Sequence, residues 1–583
     1  MSLKTKKILA FVLCVVLLIG IVPINSVLAN SLINSGDTVF ENLGGFLNKA
    51  LSGINASAIV NRSKVEYTYI TGTKTLKFTG YGNLYDNRRN WLQYADECEK
   101  IIIEDSFDTI GNNAFLDFKK LESVQIKAPV EKISKNAFAN CVSLETIVFH
   151  DCTKIIERDA FSNCISLKSV NLPRELVTLS GFTDCTGIEY ITIPKSVENL
   201  GGFDGCTSLE KIEILGDIRT IDDYTFRDCI ALKGFELPQK LNKIGAYAFQ
   251  GTNILDKNLI IPDTVNTIGL GAFSGYHFES IKTPFVGSDR TSGKNDVDIH
   301  NLAYWFGSVE YEDTFDFTYS KKTYYVPTSL KSVTLTNCMF EDNFRGMKNI
   351  REIIIADTVT NTTYPECFAF GCTNLKNVTT NISTITEISD SAFRACNELE
   401  SFVIPDGVKI IATHAFYGSE KLRTVTVPDT VETIGARAFS KCDNLEKFNV
   451  PVSIEAIGDS AFEDSLKLST VTFPKKDFLV YRNAFSGTEF LNNFPSDFIV
   501  VGDGVLIDYK GEATEVVVPD TVKRISTAFY NCEKIKKIEL PETLLYITKY
   551  SFQGCNKLKS LYIPDSVIEI SQNAFYGMAE KIE

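Results

Sequence analysis

Several residue types are scarce in this 583-residue chain. It has only 2 Trp, 4 Met and 4 His. The histidines (His150, His277, His300 and His414) share no spacing typical of metal ligands, and no Cys-x-x-Cys motif occurs. Because neither a nucleophile–base pair nor a set of metal ligands emerges, the sequence predicts neither an enzyme nor a bound cofactor or metal.

Basic residues are also fewer than acidic residues. Lys and Arg together number 59 against 73 Asp and Glu, which gives a net charge of −14. An acidic chain is poorly suited to non-specific binding of nucleic acid or of an anionic membrane surface. We therefore expect no nucleic-acid partner.

Long hydrophobic runs are absent after the N-terminus. There, Lys4, Lys6 and Lys7 precede the apolar run from Ile8 to Val22, and Val27-Leu28-Ala29 follows as a cleavage region. This order is typical of a secretory signal peptide, and the run is short for a membrane span. We predict a signal peptide at 1–29, a secreted or cell-surface protein, and no transmembrane segment in the mature chain.

Phenylalanine, in contrast, is abundant, with 40 residues. Many of them recur about every 23 residues in a unit close to I-x-x-x-A-F-x-x-C-x-x-L-x-x-V-x-I-P, and this Phe is called the marker here. The predicted markers are Phe115, Phe138, Phe161, Phe182, Phe203, Phe226, Phe249, Phe273, Phe370, Phe393, Phe416, Phe439, Phe462, Phe485, Phe529, Phe552 and Phe575. Such a period predicts an array of coils whose stability is a sum over adjacent interfaces.

Each unit contains two short extended stretches. In "LKSVNLP" (167–173), Leu167, Val170 and Leu172 are expected to point inward and Ser169 and Asn171 outward, because strand side chains alternate. The second stretch, as in "VETIGARAF" (431–439), supplies apolar residues to the opposite wall of the same coil.

These motifs resemble a known repeat class. L-x-x-V-x-I-P resembles the strand of leucine-rich repeats, and I-x-x-x-A-F-x-x-C-x-x-L resembles the BspA-like class of secreted and surface proteins. The resemblance implies a repeat solenoid with a parallel β-sheet on one face, a short-β or irregular convex side, and a small N-terminal α+β cap. It also implies a non-enzymatic recognition or adhesion protein.

The cysteines are predicted to be structural. Ten of them, namely Cys141, Cys164, Cys185, Cys206, Cys229, Cys372, Cys396, Cys442, Cys532 and Cys555, share one repeat position that elsewhere holds Thr252, Ser419, Ser465 or Thr488. We predict small, buried, free thiols there. Cys98, Cys152, Cys338 and Cys367 lie off this position, and the sequence leaves open whether two of them pair.

The predicted organisation follows the period. The expected segments are a signal peptide (1–29), an amphipathic helix (30–58), an N-terminal cap (59–100), repeat array 1 (101–275), an irregular insertion (276–345), repeat array 2 (346–490), a hairpin insertion (491–520) and terminal repeats (521–583). The helix either covers the first coil or tethers a partner. In the hairpin insertion, Asp503-Gly504 is the expected turn.

The candidate functional site is the polar ribbon of outward strand residues. It is expected to form a continuous face made by Ser169, Asn171, Tyr190, Thr192, Lys211, Glu213, Thr424, Thr426, Lys447, Asn449, Lys537, Glu539, Ser560 and Tyr562. We predict that it binds an extracellular protein or glycan of a host or neighbouring cell. A structural spacer or envelope component without a specific ligand is the alternative; ligand identity and oligomeric state stay open.

Overall fold

In the computed structural model, the described residues are 64–84, 90–252, 255–290, 301–319, 321–336, 344–380 and 382–578. Two compact units are present. One comprises Glu66–Thr79 and Asn83–Glu583, and the other, mostly outside the described residues, comprises Met1–Val65 and Gly80–Gly82. The predicted signal peptide, the predicted amphipathic helix and Cys338 lie outside the described residues and stay predictions.

The described chain is built almost entirely from short strands. Those up to residue 283 are β1 (Lys64–Ile70), β2 (Thr75–Leu84), β3 (Lys100–Ile103), β4 (Phe107–Ile110), β5 (Ser123–Ile126), β6 (Val130–Ile133), β7 (Thr146–Val148), β8 (Ile155–Ile156), β9 (Ser169–Val170), β10 (Thr178–Leu179), β11 (Tyr190–Ile193), β12 (Asn199–Leu200), β13 (Lys211–Ile214), β14 (Thr220–Ile221), β15 (Lys243–Ile244), β16 (Asn258–Ile260), β17 (Thr267–Ile268) and β18 (Ser280–Thr283).

The remaining strands continue the pattern. They are β19 (Thr314–Tyr319), β20 (Lys322–Pro327), β21 (Ser332–Leu335), β22 (Glu352–Ile355), β23 (Thr363–Tyr364), β24 (Asn377–Thr380), β25 (Glu387–Ile388), β26 (Ser401–Val403), β27 (Ile410–Ile411), β28 (Thr424–Thr426), β29 (Thr433–Ile434), β30 (Lys447–Asn449), β31 (Ala456–Ile457), β32 (Thr470–Thr472), β33 (Leu479–Val480), β34 (Phe498–Val501), β35 (Val505–Tyr509), β36 (Glu515–Val517), β37 (Arg524–Ile525), β38 (Lys537–Glu539), β39 (Tyr546–Ile547) and β40 (Glu569–Ile570). Helical segments are α1 (Glu489–Asn492) and 3-10 helices at Thr71–Thr73, Asn90–Tyr94 and Leu302–Phe306.

The strands form two parallel ladders, one on each wall of the coils, so the predicted parallel solenoid is confirmed. The first ladder, from the L-x-x-V-x-I-P stretches, consists of β3-β5-β7, β9-β11-β13, β16-β18-β21-β22-β24, β26-β28, β30-β32 and β36-β38. The second ladder has strands of two to five residues in long runs, β4-β6-β8-β10-β12-β14-β15-β17 and β23-β25-β27-β29-β31-β33, followed by β35-β37-β39-β40.

Stacked phenylalanine rings fill the space between the two ladders. Phe416, Phe439 and Phe462 are fully buried, and their ring centroids are 5.1 and 5.4 Å apart with nearly parallel planes. The backbone N–H of most markers donates to a carbonyl of the next coil, as from Phe439 to Ala461 at 2.8 Å. Every coil therefore covers the apolar face of its neighbour, which a single coil has no means to do.

The prediction that Phe370 occupies the marker position is wrong. Its ring is half-buried, whereas Phe368 and Ala369 are fully buried. The Ala369 carbonyl accepts the Cys396 thiol at 3.2 Å, as the marker carbonyl does in neighbouring coils. Ala369 thus takes the marker position, and the fully buried Tyr364 and Phe368 fill the space where the marker ring would lie.

The turns around the marker require left-handed backbone at two places per coil. In one coil these are Asn136 (φ 54°) and Asn140 (φ 60°), two residues before and two after Phe138. Asn and Asp tolerate this region better than other non-glycine residues, which explains why they recur there.

Two antiparallel hairpins interrupt the repeats. Strand β18 pairs directly with β21, so the first ladder continues past the hairpin formed by β19 and β20. The second hairpin, β34 with β35, confirms the hairpin that the sequence predicted around Asp503-Gly504. Strand β35 then pairs in parallel with β37 and so resumes the second ladder.

Candidate functional site on the first ladder

The candidate face consists of the side chains that flank the inward residue of each first-ladder strand. In β9 and the residues after it, Ser169 and Asn171 are exposed on either side of the buried Val170, as the alternation predicted. Leu172, expected to be buried, is half-buried. Parallel register places Ser169 beside Tyr190, and an isolated bridge joins Asn171 to Val148.

The structure brings four predicted residues together in β11 and β13. Tyr190 pairs with Lys211, and Thr192 pairs with Glu213. The Tyr190 hydroxyl donates to the Glu213 carboxylate, and the Thr192 hydroxyl donates to the Tyr190 oxygen at 2.7 Å. The Lys211 ammonium lies 6.0 Å from the centroid of the Tyr190 ring. These contacts hold a 40% exposed tyrosine inside a polar cluster of both charge signs.

The remaining predicted residues occupy separate places. Thr424 and Thr426 of β28 pair with Ser401 and Val403, Lys447 and Asn449 of β30 pair with Thr470 and Thr472, and Lys537 and Glu539 of β38 pair with Glu515 and Val517. Ser560 and Tyr562 are exposed, but they lie in no strand.

The first ladder is therefore not one unbroken set of paired strands, and the continuity of the side-chain face stays a prediction. A clear interruption lies between β13 and β16, where "LKGFELP" (232–238) forms no strand. Gly234 there has a left-handed φ of 64°, which an extended strand does not accommodate.

Sequence reasoning missed the apolar part of this face. Val148, Ile260, Val403 and Val517 are 57% to 68% exposed and occupy the outward place that follows the inward strand residue. The signal was present in the sequence, since Val or Ile stands in these coils where other coils have Thr or Asn. Exposed aliphatic groups on an ordered face are common at protein interaction sites.

The shared cysteine position is buried, as predicted, except that Cys532 is half-buried, and the position also has a polar role. The Cys442 thiol donates to the carbonyl oxygen of Phe416 at 3.3 Å. Ser419 and Ser465, at the same position, donate to Phe393 and Phe439 at 2.9 and 2.6 Å. Burial raises the pKa of Cys442, and it raises the pKa of Cys555 to about 12, so these thiols stay protonated.

The off-position cysteines differ from one another. Cys98 is buried, and burial raises its pKa to about 11. Cys152 and Cys367 are half-buried, and all three are free thiols. Cys338 lies outside the described residues, so its pairing stays open.

A polar cavity of about 230 Å³ lies on the second ladder, where two coils are shortened. Its lining includes Arg158, Ser180, Gly202, Asp222 and Lys243. Within the described ranges, no group of three or more His, Cys, Asp or Glu side chains is arranged to hold a metal ion. The described helices also include none of the length and apolar character that a membrane span requires.

Comparison with known proteins identifies the repeat. The profile of the BspA type leucine-rich repeat region matches residues 88–202, 201–286, 318–418, 361–492 and 508–582. None of the curated proteins matches this chain in sequence.

Among solved structures, a leucine-rich repeat protein from Bacteroides ovatus is 20% identical over 73% of this chain and 91% of that chain, with a TM-score of 0.25. A leucine rich cell surface protein from Faecalibacterium prausnitzii is 22% identical over 66% and 93% of the two chains, also with a TM-score of 0.25. At such identities and scores, the assignment depends on the repeat profile, which spans most of the chain. This chain belongs to the BspA-type leucine-rich repeat family.

Proposed function

We propose that the protein is a non-enzymatic recognition protein that binds a macromolecular partner through the exposed face of the first ladder. The partner is an extracellular protein or glycan of a host or neighbouring cell. The proposal includes export to the surface or the medium through the N-terminal segment, whose basic start and apolar run are typical of a signal peptide.

The observation that carries the proposal is the exposed apolar and aromatic character of the face. Val403, Val517 and Tyr562 are each more than 60% exposed, and Tyr190 is 40% exposed within its hydrogen-bonded cluster. Tyrosines with ordered surroundings lose little conformational entropy on binding and are enriched among hot spots. A stack of short strands presents such groups over a length that suits a macromolecule better than a metabolite.

Two groups of the face serve as separate contact points in this proposal. The Tyr190 cluster supplies hydrogen bonds and charge of both signs, through Thr192, Lys211 and Glu213. The pairs of Val403 with Thr426 and of Val517 with Glu539 supply apolar contacts beside polar groups. Ser169, Asn171, Thr424, Lys447, Asn449, Lys537 and Ser560 complete the proposed face.

Binding to a panel of extracellular-matrix proteins and glycans tests the proposal with the full chain immobilised. The test variant combines Tyr190→Ala, Val403→Ser and Tyr562→Ala on the face. The control is Ile230→Ser, which removes an apolar residue, 65% exposed, that lies in a turn and not in a strand.

We expect the triple variant to lose a specific partner that wild type and the Ile230 variant retain. Each buried hot spot contributes about 2 kcal/mol or more to such binding. Equal retention of every bound partner by all three proteins would contradict the proposal, whereas absence of binding across the panel would favour a structural spacer without a specific ligand.

A further inference from the structure

Cations and aromatic rings alternate across consecutive coils beside the second ladder. Arg345, Phe370, Arg394, Tyr417 and Lys441 form this cation–aromatic stack. The guanidinium carbons of Arg345 and Arg394 lie 4.9 and 5.3 Å from the Phe370 ring centroid. Arg394 and the Lys441 ammonium lie 5.0 and 5.8 Å from the centroid of Tyr417. All five residues occur in the turns that surround the marker position, away from the candidate face of the first ladder.

Two cations of this stack, Arg394 and Lys441, are not paired with a carboxylate as cations are at comparable described places. Arg227 lies 4.6 Å from the Tyr224 ring, but it also donates through Nε to Asp204 at 2.8 Å in a two-contact ion pair. Arg524 likewise combines a ring contact with Tyr546 and a two-contact ion pair with Asp477. Within the described parts of the chain, Arg394 and Lys441 make ring contacts and no ion pair with a carboxylate.

The surroundings carry charge of both signs: burial raises the pKa of the Asp443 carboxyl, as do Glu420 and Asp464, whereas Lys441 lowers it. Arg437, in the same coil as Lys441, is exposed and also makes no ion pair among the described residues. Burial lowers the pKa of His414, and Arg394 and Arg437 lower it further, whereas Asp390 raises it. Asp390 is the acidic group beside this histidine, with its oxygen 3.9 Å from the imidazole, and it accepts the Ser391 hydroxyl at 2.6 Å.

A guanidinium that lies over a ring keeps its in-plane N–H donors available. Stacking fixes the plane of the group, so less conformational entropy is lost when those donors bind a carboxylate or a sulfate. Arg394 lies against the rings of both Phe370 and Tyr417, so its guanidinium is constrained from two sides.

The spacing of the cations indicates a repeating ligand. Arg394 and Lys441 come from coils two apart, and two coils span about 10 Å at the usual strand separation. That distance is about the length of one disaccharide, so successive cations would meet successive charged units of a linear polysaccharide. Nucleic acid carries far denser charge, about one per 1.7 Å of duplex, which does not match cations about 10 Å apart.

We propose that the cation–aromatic stack is a binding site for a linear acidic glycan, which it holds through carboxylate or sulfate groups. Arg394 and Lys441 supply the contacts, Arg437 adds a further cation, and Phe370 and Tyr417 order the two stacked cations. This site is independent of the partner-binding face of the first ladder, and either can exist without the other.

Binding of the full chain to heparin, hyaluronan and uncharged dextran tests the proposal. We expect salt-dependent binding to heparin or hyaluronan and none to dextran, since raising the salt from 0.15 to 1 M shortens the screening length from about 8 to about 3 Å. Preference for heparin identifies sulfate as the recognised group, and equal binding of hyaluronan identifies carboxylate. A single-stranded DNA oligonucleotide that binds more tightly than both acidic glycans would overturn the assignment to glycan.

Variants locate the site. In Arg394→Gln/Lys441→Gln we expect a roughly tenfold loss of glycan affinity per cation removed. Arg227→Gln is the matched control, because its guanidinium also stacks on a tyrosine but is already paired with Asp204. Tyr417→Leu, which keeps both cations, should weaken binding by a smaller factor. Absence of binding to both acidic glycans, or equal loss in the Arg227 variant, would overturn the proposal.

Discussion

The position of Cys442 accepts small side chains that carry a hydrogen-bond donor. Cys442, Ser419 and Ser465 each donate to a marker carbonyl one coil away. The same carbonyl also accepts a backbone N–H of its own coil, as Phe416 does from Ser419 at 3.1 Å. The thiol thus adds a second bond to an acceptor that is already satisfied, and it links adjacent coils through their interior.

This role predicts how substitutions of Cys442 rank. Cys442→Ser should lower the free energy of unfolding by less than about 1 kcal/mol, because the hydroxyl keeps the bond to Phe416. Cys442→Ala should cost about 1 kcal/mol more than the serine variant, since the donor is lost. Thermal and urea unfolding of the two variants check the order, and a serine variant as unstable as the alanine variant would show that the bond contributes nothing.

A second residue-scale prediction concerns backbone strain at Thr527. This β-branched residue has a φ of 53°, at the position where Asn113, Asn136, Asn483 and Asn573 stand in other coils. Left-handed backbone costs roughly 1–2 kcal/mol for most L-residues and less for asparagine. We expect Thr527→Asn to raise the free energy of unfolding by about 1 kcal/mol. Asn483→Thr, the reverse change at an equivalent place, should lower the melting temperature. If both substitutions stabilised the protein, or both destabilised it, backbone strain at Thr527 would be contradicted.

At the scale of elements, membership of the buried phenylalanine stack distinguishes true markers from other phenylalanines that fit the 23-residue period. Phe439 is fully buried and contacts the rings of Phe416 and Phe462. Phe370 fits the 23-residue period equally well, but its half-buried ring lies between the guanidinium groups of Arg345 and Arg394. The two residues should therefore respond very differently to truncation.

We expect Phe439→Ala to cost about 3–5 kcal/mol, the usual penalty for emptying a buried aromatic site. Phe370→Ala should cost about 1–2 kcal/mol, because a half-buried ring with two cation–π contacts is lost and no fully buried site is emptied. Hydrogen exchange measured by mass spectrometry should show loss of protection around 416–462 in the first variant. A comparable loss around 344–394 in the second would contradict the assignment of Ala369 to the marker position.

The same elements show what the sequence could predict. The period and the strand alternation correctly predicted two walls per coil, the buried cysteine position, and Ser169 and Asn171 as exposed residues. Spacing could not separate Phe368 from Phe370, because one lost loop residue shifts the register and only packing decides which ring is buried. The interruption of the ladder at Gly234 depends on a backbone angle, and glycine permits either sign of φ.

At the scale of the whole molecule, the order of coils is set by contacts between neighbours. Most first- and second-ladder strands pair only with the equivalent strands of the preceding and following coils, as β29 does with β27 and β31. Stability is then approximately a sum of terms for each coil and each interface. The chain should accordingly tolerate loss of a whole coil and not loss of a part.

Deletion of residues 410–432 tests this directly. It removes one 23-residue period and joins Lys409 to Thr433, which brings β29 into register with β25 at the place that β27 occupied. The Phe393 and Phe439 rings would then stack in the place of the removed Phe416 pair. We expect the shortened chain to keep its circular dichroism per residue and a cooperative melt. Deletion of 410–420 is the control; it removes about half a period, shifts inward residues outward, and should leave the adjoining coils open to protease. Equal protease resistance of the two deletions would contradict the idea that the coil is the unit of folding.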